Sequence, residues 1–324
     1  MNKKKFLIIF SILVIILCMV GVIAEDLIID SKTQSFSETD NKIKFDGGVN
    51  VKYGDIRCVG DNADITVDKN NRLDTATIYN KPYAYEIKNN KKREVKANIL
   101  KFSLLNKVIK AEGDTQTIVT EGKTPVAVIN ADCQEYDIKT NKMTASGSVA
   151  IKYKDMRAFA DRAIISTNGK GDLKRIDLVG RAKIDQAKHH LIANHFVYDS
   201  DAKQMTAMGN ATTTTVLDNG KEFILKANYQ NYNQQDGIFL ANGSVRAWYD
   251  DYFAKGPKVV AYPDKVTKKI NEVFLMGRSM IKQNEKEISA DKIKIIIEPK
   301  NFMAEGNVRT IIHQAGVSTK KAGF

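Results

Sequence analysis

Apolar and polar residues alternate with a period of two along most of this 324-residue chain. Clear examples are Leu100, Phe102 and Leu104, and then Ile293, Ile295 and Ile297. Side chains of a β-strand point alternately to opposite faces, so this pattern predicts strands that each bury one face. Turn residues separate the alternating stretches, and nothing after residue 25 keeps a sustained helical period. The pattern therefore predicts an all-β fold.

The strands belong to an internal repeat with two anchor positions in each unit. The first anchor is a small residue: Ser31, Gly60, Ala97, Ala131, Ala160, Ala193, Ala227, Gly256 and Ala290. The second anchor is usually glycine: Gly47, Asn80, Gly113, Gly147, Gly180, Gly209, Gly243, Gly277 and Gly306. Ala97, Ala193 and Ala290 begin equivalent groups of three units, 96 and 97 residues apart. About nine strand-turn-strand units thus predict stacked strands in which each unit contacts mainly its neighbours.

The buried face of each strand changes just after the first anchor. Apolar residues lie two positions before the anchor and at it, and then three, five and seven positions after it. A strand cannot change its buried face without a bulge or a bend. Asp or Asn follows the anchor at this point, and such short side chains bond the backbone groups that a bend frees. We interpret this column as structural corner residues and not as catalytic carboxylates: Asp61, Asn98, Asp132, Asp161, Asn194, Asn228 and Asp291.

The repeat defines one domain, from residue 27 to 312, followed by a flexible polar tail at 313–324. Three lysines and an unbroken uncharged run at 6–24 precede it, which is typical of an export signal or a membrane anchor. The small residue Ala24 before Glu25 suits cleavage, but the run is also long enough for one span. We therefore expect a periplasmic domain that is either soluble after cleavage or tethered to the inner membrane by residues 6–24.

The net charge and the cysteine content discriminate only weakly between possible partners and compartments. The formal net charge of +12 suits anionic partners such as phosphorylated lipids, although dispersed lysines also serve ordinary solubility. Cys58 and Cys133 occupy different columns of the repeat and are predicted to lie on opposite faces, which disfavours a disulfide between them.

No cluster of residues in the sequence points to an enzyme, a metal site or a cofactor. A polysaccharide-cleaving β-helix needs converging carboxylates, whereas the acids of the repeat recur singly, with Asp250-Asp251 as the one adjacent pair. His189 and His195 share a strand face but stand about 20 Å apart, too far for one metal ion. Nucleic-acid binding needs a basic face with stacking aromatics, and an exported protein is not expected to meet nucleic acid.

The repeated text, apolar-x-Ala-Asp-x-apolar, a turn, then apolar-x-Ala-x-Gly-x-Val, resembles the OstA-like domain. That domain is shared by lipopolysaccharide-transport proteins of the LptA and LptC type and by the N-terminal part of LptD. The best-matching stretches are 129–151, 192–211, 225–247 and 288–310. The resemblance implies an elongated, twisted, folded-over sheet (a β-jellyroll or taco) with a groove that holds lipid A acyl chains of lipopolysaccharide. It also implies head-to-tail docking to other OstA-like domains through sheet edges, and work with an inner-membrane ABC transporter complex.

Under this resemblance, bulky residues of the apolar columns become candidates for the lipid groove. The candidates are Phe102, Ile109, Tyr136, Met143, Phe196, Met205, Tyr232, Phe239, Ile295 and Phe302. Plain core packing is the competing interpretation for any one of them. The competing function is a structural envelope scaffold that polymerises through the same exposed edges and carries no lipid.

Overall fold

The computed structural model describes residues 27–70, 72–217 and 219–313, and these residues form strands and turns. The all-β prediction is confirmed. The proposed signal or anchor at 1–24 and the tail from residue 314 lie outside the described residues. Within the described part of the chain, no helix is long and apolar enough to cross a membrane.

In the described residues, twenty-two strands make one antiparallel sheet. They are β1 Leu27–Asp30, β2 Thr33–Ser37, β3 Lys42–Tyr53, β4 Ile56–Val67, β5 Leu73–Tyr79, β6 Tyr83–Lys88, β7 Lys91–Lys96, β8 Ile99–Ser103, β9 Val108–Glu121, β10 Thr124–Asp137, β11 Lys142–Tyr153, β12 Met156–Thr167, β13 Leu173–Gln186, β14 His189–Asp199, β15 Gln204–Val216, β16 Glu222–Asn233, β17 Phe239–Tyr249, β18 Tyr252–Pro263, β19 Ile270–Gln283, β20 Lys286–Ile296, β21 Asn301–Glu305 and β22 Arg309–Ile312. From β9 to β20 each strand pairs with the next one along the chain, so the sheet is a long meander.

A bend near the middle of each long strand divides the sheet lengthwise into two limbs. Limb A contains the short strands β2, β5, β8 and β21 and the halves of the long strands that pair with them. Limb B contains the short strands β1, β6, β7 and β22 and the other halves. The pairing register shifts where a long strand passes from one limb to the other, for example between Ser146 and Val149 in β11. The repeat therefore builds a sheet folded along its length.

The apolar core lies between the limbs, in three clusters along the sheet. The first contains buried residues from Phe45 to Ala111, the middle one from Ile129 to Ala211, and the last one from Leu225 to Ile293. Completely buried alanines, such as Ala145, stand beside the bend, where the limbs are closest. We call the opposite side, where the free ends of the limbs face each other, the seam.

Candidate functional site: the interior between the limbs

The bend depends on glycine because the backbone at the bend has a left-handed conformation. Gly147 has φ +76° and the next residue, Ser148, has φ 47°. A Cβ atom on Gly147 would lie 2.1 Å from Oδ2 of Asp132, so no larger residue fits without displacing that side chain. The same packing joins Gly113 to Asn98, Gly180 to Asp161, Gly209 to Asn194, Gly243 to Asn228 and Gly306 to Asp291.

Corner residues form hydrogen bonds with the second anchor of their own bend or with the residue that follows it. The backbone N–H of Asp61 donates to the carbonyl of Asn80, 3.1 Å away, at the one bend where asparagine replaces glycine. Asp161 accepts from Arg181, and this hydrogen bond holds the pKa of the Asp161 carboxyl below its ordinary value. The corner carboxylates thus stay one to a bend along the outside of the fold. Among the described residues, no group of acidic, His or Cys side chains could hold a metal ion.

All ten groove candidates lie on limb A, but their burial differs widely. Phe102, Met143 and Phe196 are buried in the core, and Ile109, Tyr136, Met205, Phe239 and Ile295 are half-buried. Tyr232 and Phe302 are exposed, at 38% and 52%. The structure places seven of these residues in the three core clusters, and Met205, Tyr232 and Phe302 belong to none of the clusters.

None of the ten groove candidates comes from the opposite wall of the interior, which belongs to limb B. It contains buried residues such as Val51, Ile151, Ile184 and Leu225. They occupy the apolar columns two and four positions after the second anchor or two before the first. The signal was therefore visible in the repeat, but the branched aliphatic residues there are less bulky than the aromatic residues of limb A.

Polar side chains connect the two limbs across the seam. Lys91 Nζ lies 2.5 Å from Asp172 Oδ1, and this contact raises the pKa of Lys91 and lowers that of Asp172. The Arg93 guanidinium stacks 4.4 Å from the centre of the Tyr136 ring, and the Lys300 ammonium lies 4.2 Å from that of Tyr252. Cationic side chains thus cap an apolar interior at the places where the limbs meet.

A small cavity lies beneath the contact between Arg93 and Tyr136. Its walls come from both limbs and include Ile56, Val95, Ile109 and Met143. The space open to a water-sized sphere is about 40 Å³, enough for only a few waters. The limbs are therefore closed on each other here, and a larger guest requires them to separate at the seam.

Two largely buried hydrogen-bonded pairs cross the interior itself. The Thr117 hydroxyl of limb B donates to the side-chain oxygen of Gln134 on limb A, and Thr213 does the same to Gln230. Gln134 then donates to the carbonyl of Ile129, 3.1 Å away, back on limb B. Sequence reasoning missed these pairs, although both glutamines stand in a column that is otherwise mostly apolar.

Comparisons with known proteins identify a family and a similar solved structure. The model of the family described as LptA/(LptD N-terminal domain) LPS transport protein matches residues 28–125 and 128–265. Among solved structures, the chain is similar to LptH, the LptA homologous periplasmic component of the lipopolysaccharide transport device from Pseudomonas aeruginosa. The identity is 12%, the match covers 38% of this chain and 84% of that one, and the TM-score is 0.34. No curated protein matches this sequence as a relative.

The family matches extend over both the N-terminal and the middle parts of the sheet, and they confirm the OstA-like resemblance of the repeat. By these matches, the chain belongs to the LptA/LptD N-terminal domain family of LPS transport proteins.

Proposed function

We propose that this protein carries lipopolysaccharide across the periplasm with the acyl chains held between limbs A and B. The observation that supports this most is an interior lined by apolar residues on both limbs and capped by cations at the seam. Each methylene that leaves water for this interior contributes up to about 0.8 kcal/mol. The seam cations suit lipid phosphates, which carry the opposite charge.

Site-specific photo-crosslinking in a lipopolysaccharide-containing envelope tests this proposal. A benzoylphenylalanine at Phe239 or Tyr232, both on limb A and neither fully buried, is expected to capture lipopolysaccharide. The matched controls are the next residues in the same strands, Leu240 and Asn231, because neighbouring side chains of a strand point to opposite faces. Capture from the controls and not from the inward positions, with the protein folded, would overturn the groove.

We further propose that the protein docks head-to-tail through its two sheet edges, since the strands at each end of the meander are paired on one side only. The exposed Phe36 of β2 lies at one edge and the exposed Phe302 of β21 at the other. The repeat predicts how they meet. In the interior, Met205 pairs with Tyr232, and the equivalent residues at the two edges are Phe302 and Phe36. Strand addition of this kind also protects both edges from nonspecific pairing.

The role within the transport system depends on the N-terminal segment. Cleavage after Ala24 gives a soluble bridge of the LptA type, and retention of residues 6–24 gives an anchored adaptor of the LptC type, beside an ABC transporter complex. Mass spectrometry of the mature N-terminus distinguishes them: a chain that starts at Glu25 supports the bridge, and an intact N-terminus supports the anchor.

The exposed apolar edges also favour the second candidate, a structural envelope scaffold without lipid cargo. Both functions predict head-to-tail assembly, so assembly alone does not separate them. The scaffold predicts polymers in which Phe239 and Tyr232 capture no lipopolysaccharide, whereas the carrier predicts capture by the assembled form.

A further inference from the structure

We propose that the two glutamine–threonine pairs act as polar crossbars that divide the part of the lipid-binding interior next to the bend into three apolar compartments and limit the length of acyl chain each compartment holds. This inference rests on the proposed lipid-carrying function. It deepens that function by naming residues that determine which chain lengths fit.

The first step in the argument is the position of the crossbars. Thr117 and Gln134 lie on β9 and β10, and the first core cluster ends with Ala111 on β9 while the middle one begins with Ile129 on β10. The second crossbar stands at the next boundary in the same way. Thr213 and Gln230 lie on β15 and β16, between clusters that end with Ala211 and begin with Leu225. Both breaks in the fully buried core next to the bend therefore coincide with a crossbar, while a half-buried apolar row nearer the seam, with Ile109 paired to Tyr136, continues past the first one.

The second step is that the crossbars are hydrogen-bonded and largely buried. Thr117 is 1% exposed, Gln134 and Gln230 are 3% exposed, and Thr213 is half-buried. Gln230 donates to the carbonyls of Ala211 and Leu225, at 2.9 and 3.2 Å. An acyl chain offers no hydrogen-bonding group, so a chain that pushed a crossbar aside would leave a buried amide and hydroxyl unpaired. A methylene chain is thus favoured on either side of a crossbar and disfavoured across it.

The third step is periodicity. Gln134 and Gln230 are 96 residues apart, and so are Thr117 and Thr213, which is the spacing of the three-unit groups. The equivalent positions at the two sheet edges are Gln34 and Thr310, and both are exposed. Head-to-tail docking in the register given above would bring them together as a third crossbar. The division of the interior would then continue from one copy into the next.

The spacing of the crossbars gives the middle compartment a length. It contains the six strands β10 to β15. With neighbouring strands about 4.8 Å apart, five spacings give about 24 Å. A chain shorter than this gains affinity with each added methylene, by up to about fourfold. A longer chain meets a crossbar and gains little more.

The test compares acyl chains of increasing length on the full chain held in phosphatidylcholine nanodiscs. The probes are single-chain lysophosphatidic acids with a diazirine at the end of the chain, from ten carbons upward. Photolysis and mass spectrometry give the concentration for half-maximal labelling of the middle compartment. In the parent protein this concentration is expected to fall with chain length and then level off.

The variant Thr117→Val/Gln134→Met replaces both partners of the first crossbar with apolar side chains of similar size. Its matched control, Gln116→Met/Asn130→Val, removes a glutamine hydrogen bond between the same two strands on the outer face. The ratio of the affinity of the crossbar variant to that of the control is expected to be about one for short chains. For each methylene beyond the levelling point it is expected to rise by up to about fourfold, with adducts appearing in the first compartment.

Each outcome bears on a different claim. Labelling of the parent protein that never levels off, or a ratio that stays at one for long chains, would overturn the crossbars and leave lipid carriage standing. No labelling of the interior of the folded parent at any length would overturn the proposed function and this inference with it. The parent series alone decides the question if the crossbar variant fails to fold, as judged by circular dichroism.

Discussion

The packing of Asp132 against Gly147 predicts an unusually large loss of stability when that glycine becomes alanine. Two separate penalties arise in Gly147→Ala. The backbone keeps φ +76°, which an L-residue with a Cβ disfavours, and the new Cβ meets Oδ2, Cγ and Cβ of Asp132 at 2.1, 2.7 and 2.8 Å. Gly122→Ala is the matched control, because Gly122 has φ +60° and open space where a Cβ would stand.

The magnitudes separate the two variants. The left-handed backbone costs an alanine about 1–2 kcal/mol, and the less flexible unfolded chain returns about 0.4–1 kcal/mol. Gly122→Ala is therefore expected to lose about 0.5–1 kcal/mol. Gly147→Ala adds an overpacking cost of about 1–3 kcal/mol, for a total of about 2–4 kcal/mol. A domain of this size shifts its Tm by about 2 °C per kcal/mol, so we expect losses of about 1–2 °C and about 4–8 °C.

Thermal unfolding followed by circular dichroism measures both losses, and a double-mutant cycle isolates the contact. Asp132→Ala removes the carboxylate but leaves the Cβ, so the double variant Gly147→Ala/Asp132→Ala is expected to recover about 1–2 kcal/mol. Equal losses for Gly147→Ala and Gly122→Ala, or strict additivity in the cycle, would refute the reasoning that the corner side chain and the glycine are packed as one unit.

The buried thiol, the free edges and the seam each give a further expected outcome. Burial raises the pKa of Cys58 to about 12, so at pH 8 iodoacetamide should label Cys133 and leave Cys58 unreacted until the protein unfolds; equal rates in the folded protein would contradict its burial. In a cysteine-free background, Phe36→Cys/Phe302→Cys should form disulfide-linked chains of copies under mild oxidation, and shifting the second cysteine by one residue should prevent this. The pKa of Asp172 is lowered through its hydrogen bond to the seam lysine, so its stabilisation is present above the ordinary value of 3.8 and is lost as pH falls through the folded pKa. Asp172→Asn should therefore melt below the parent at pH 6 and together with it at pH 2; a constant gap at both pH values would show that this ion pair is not the cause.

The fold was predictable because its determinants are local. Period-two alternation predicts strands, and glycine marks the bends because only glycine takes φ near +76° without strain, as at Gly147. These signals recur in each unit, so the repeat reinforces them. The all-β architecture and the family resemblance could therefore be read from the sequence alone.

The interior could be predicted only in part, because its closure depends on residues that are distant in sequence. Lys91 and Asp172 are 81 residues apart and meet only because the limbs fold over each other. The crossbars were missed for a different reason. Gln134 stands in a mostly apolar column, but a glutamine there is indistinguishable from a surface residue until its partner Thr117 is placed opposite.

On the proposed function, the closed interior also explains how a carrier can release its cargo. Phe196 and Leu225 are already buried, so separating the limbs exposes apolar surface at a cost of about 25 cal/mol for each Å². An entering acyl chain covers that surface again, and the net gain comes mainly from the burial of the chain itself. The ion pair between Lys91 and Asp172, which must open at the seam, contributes little because it is exposed to water. The empty closed interior and the lipid-filled interior therefore differ only modestly in free energy. This small difference favours passage of the lipid along the sheet over permanent capture.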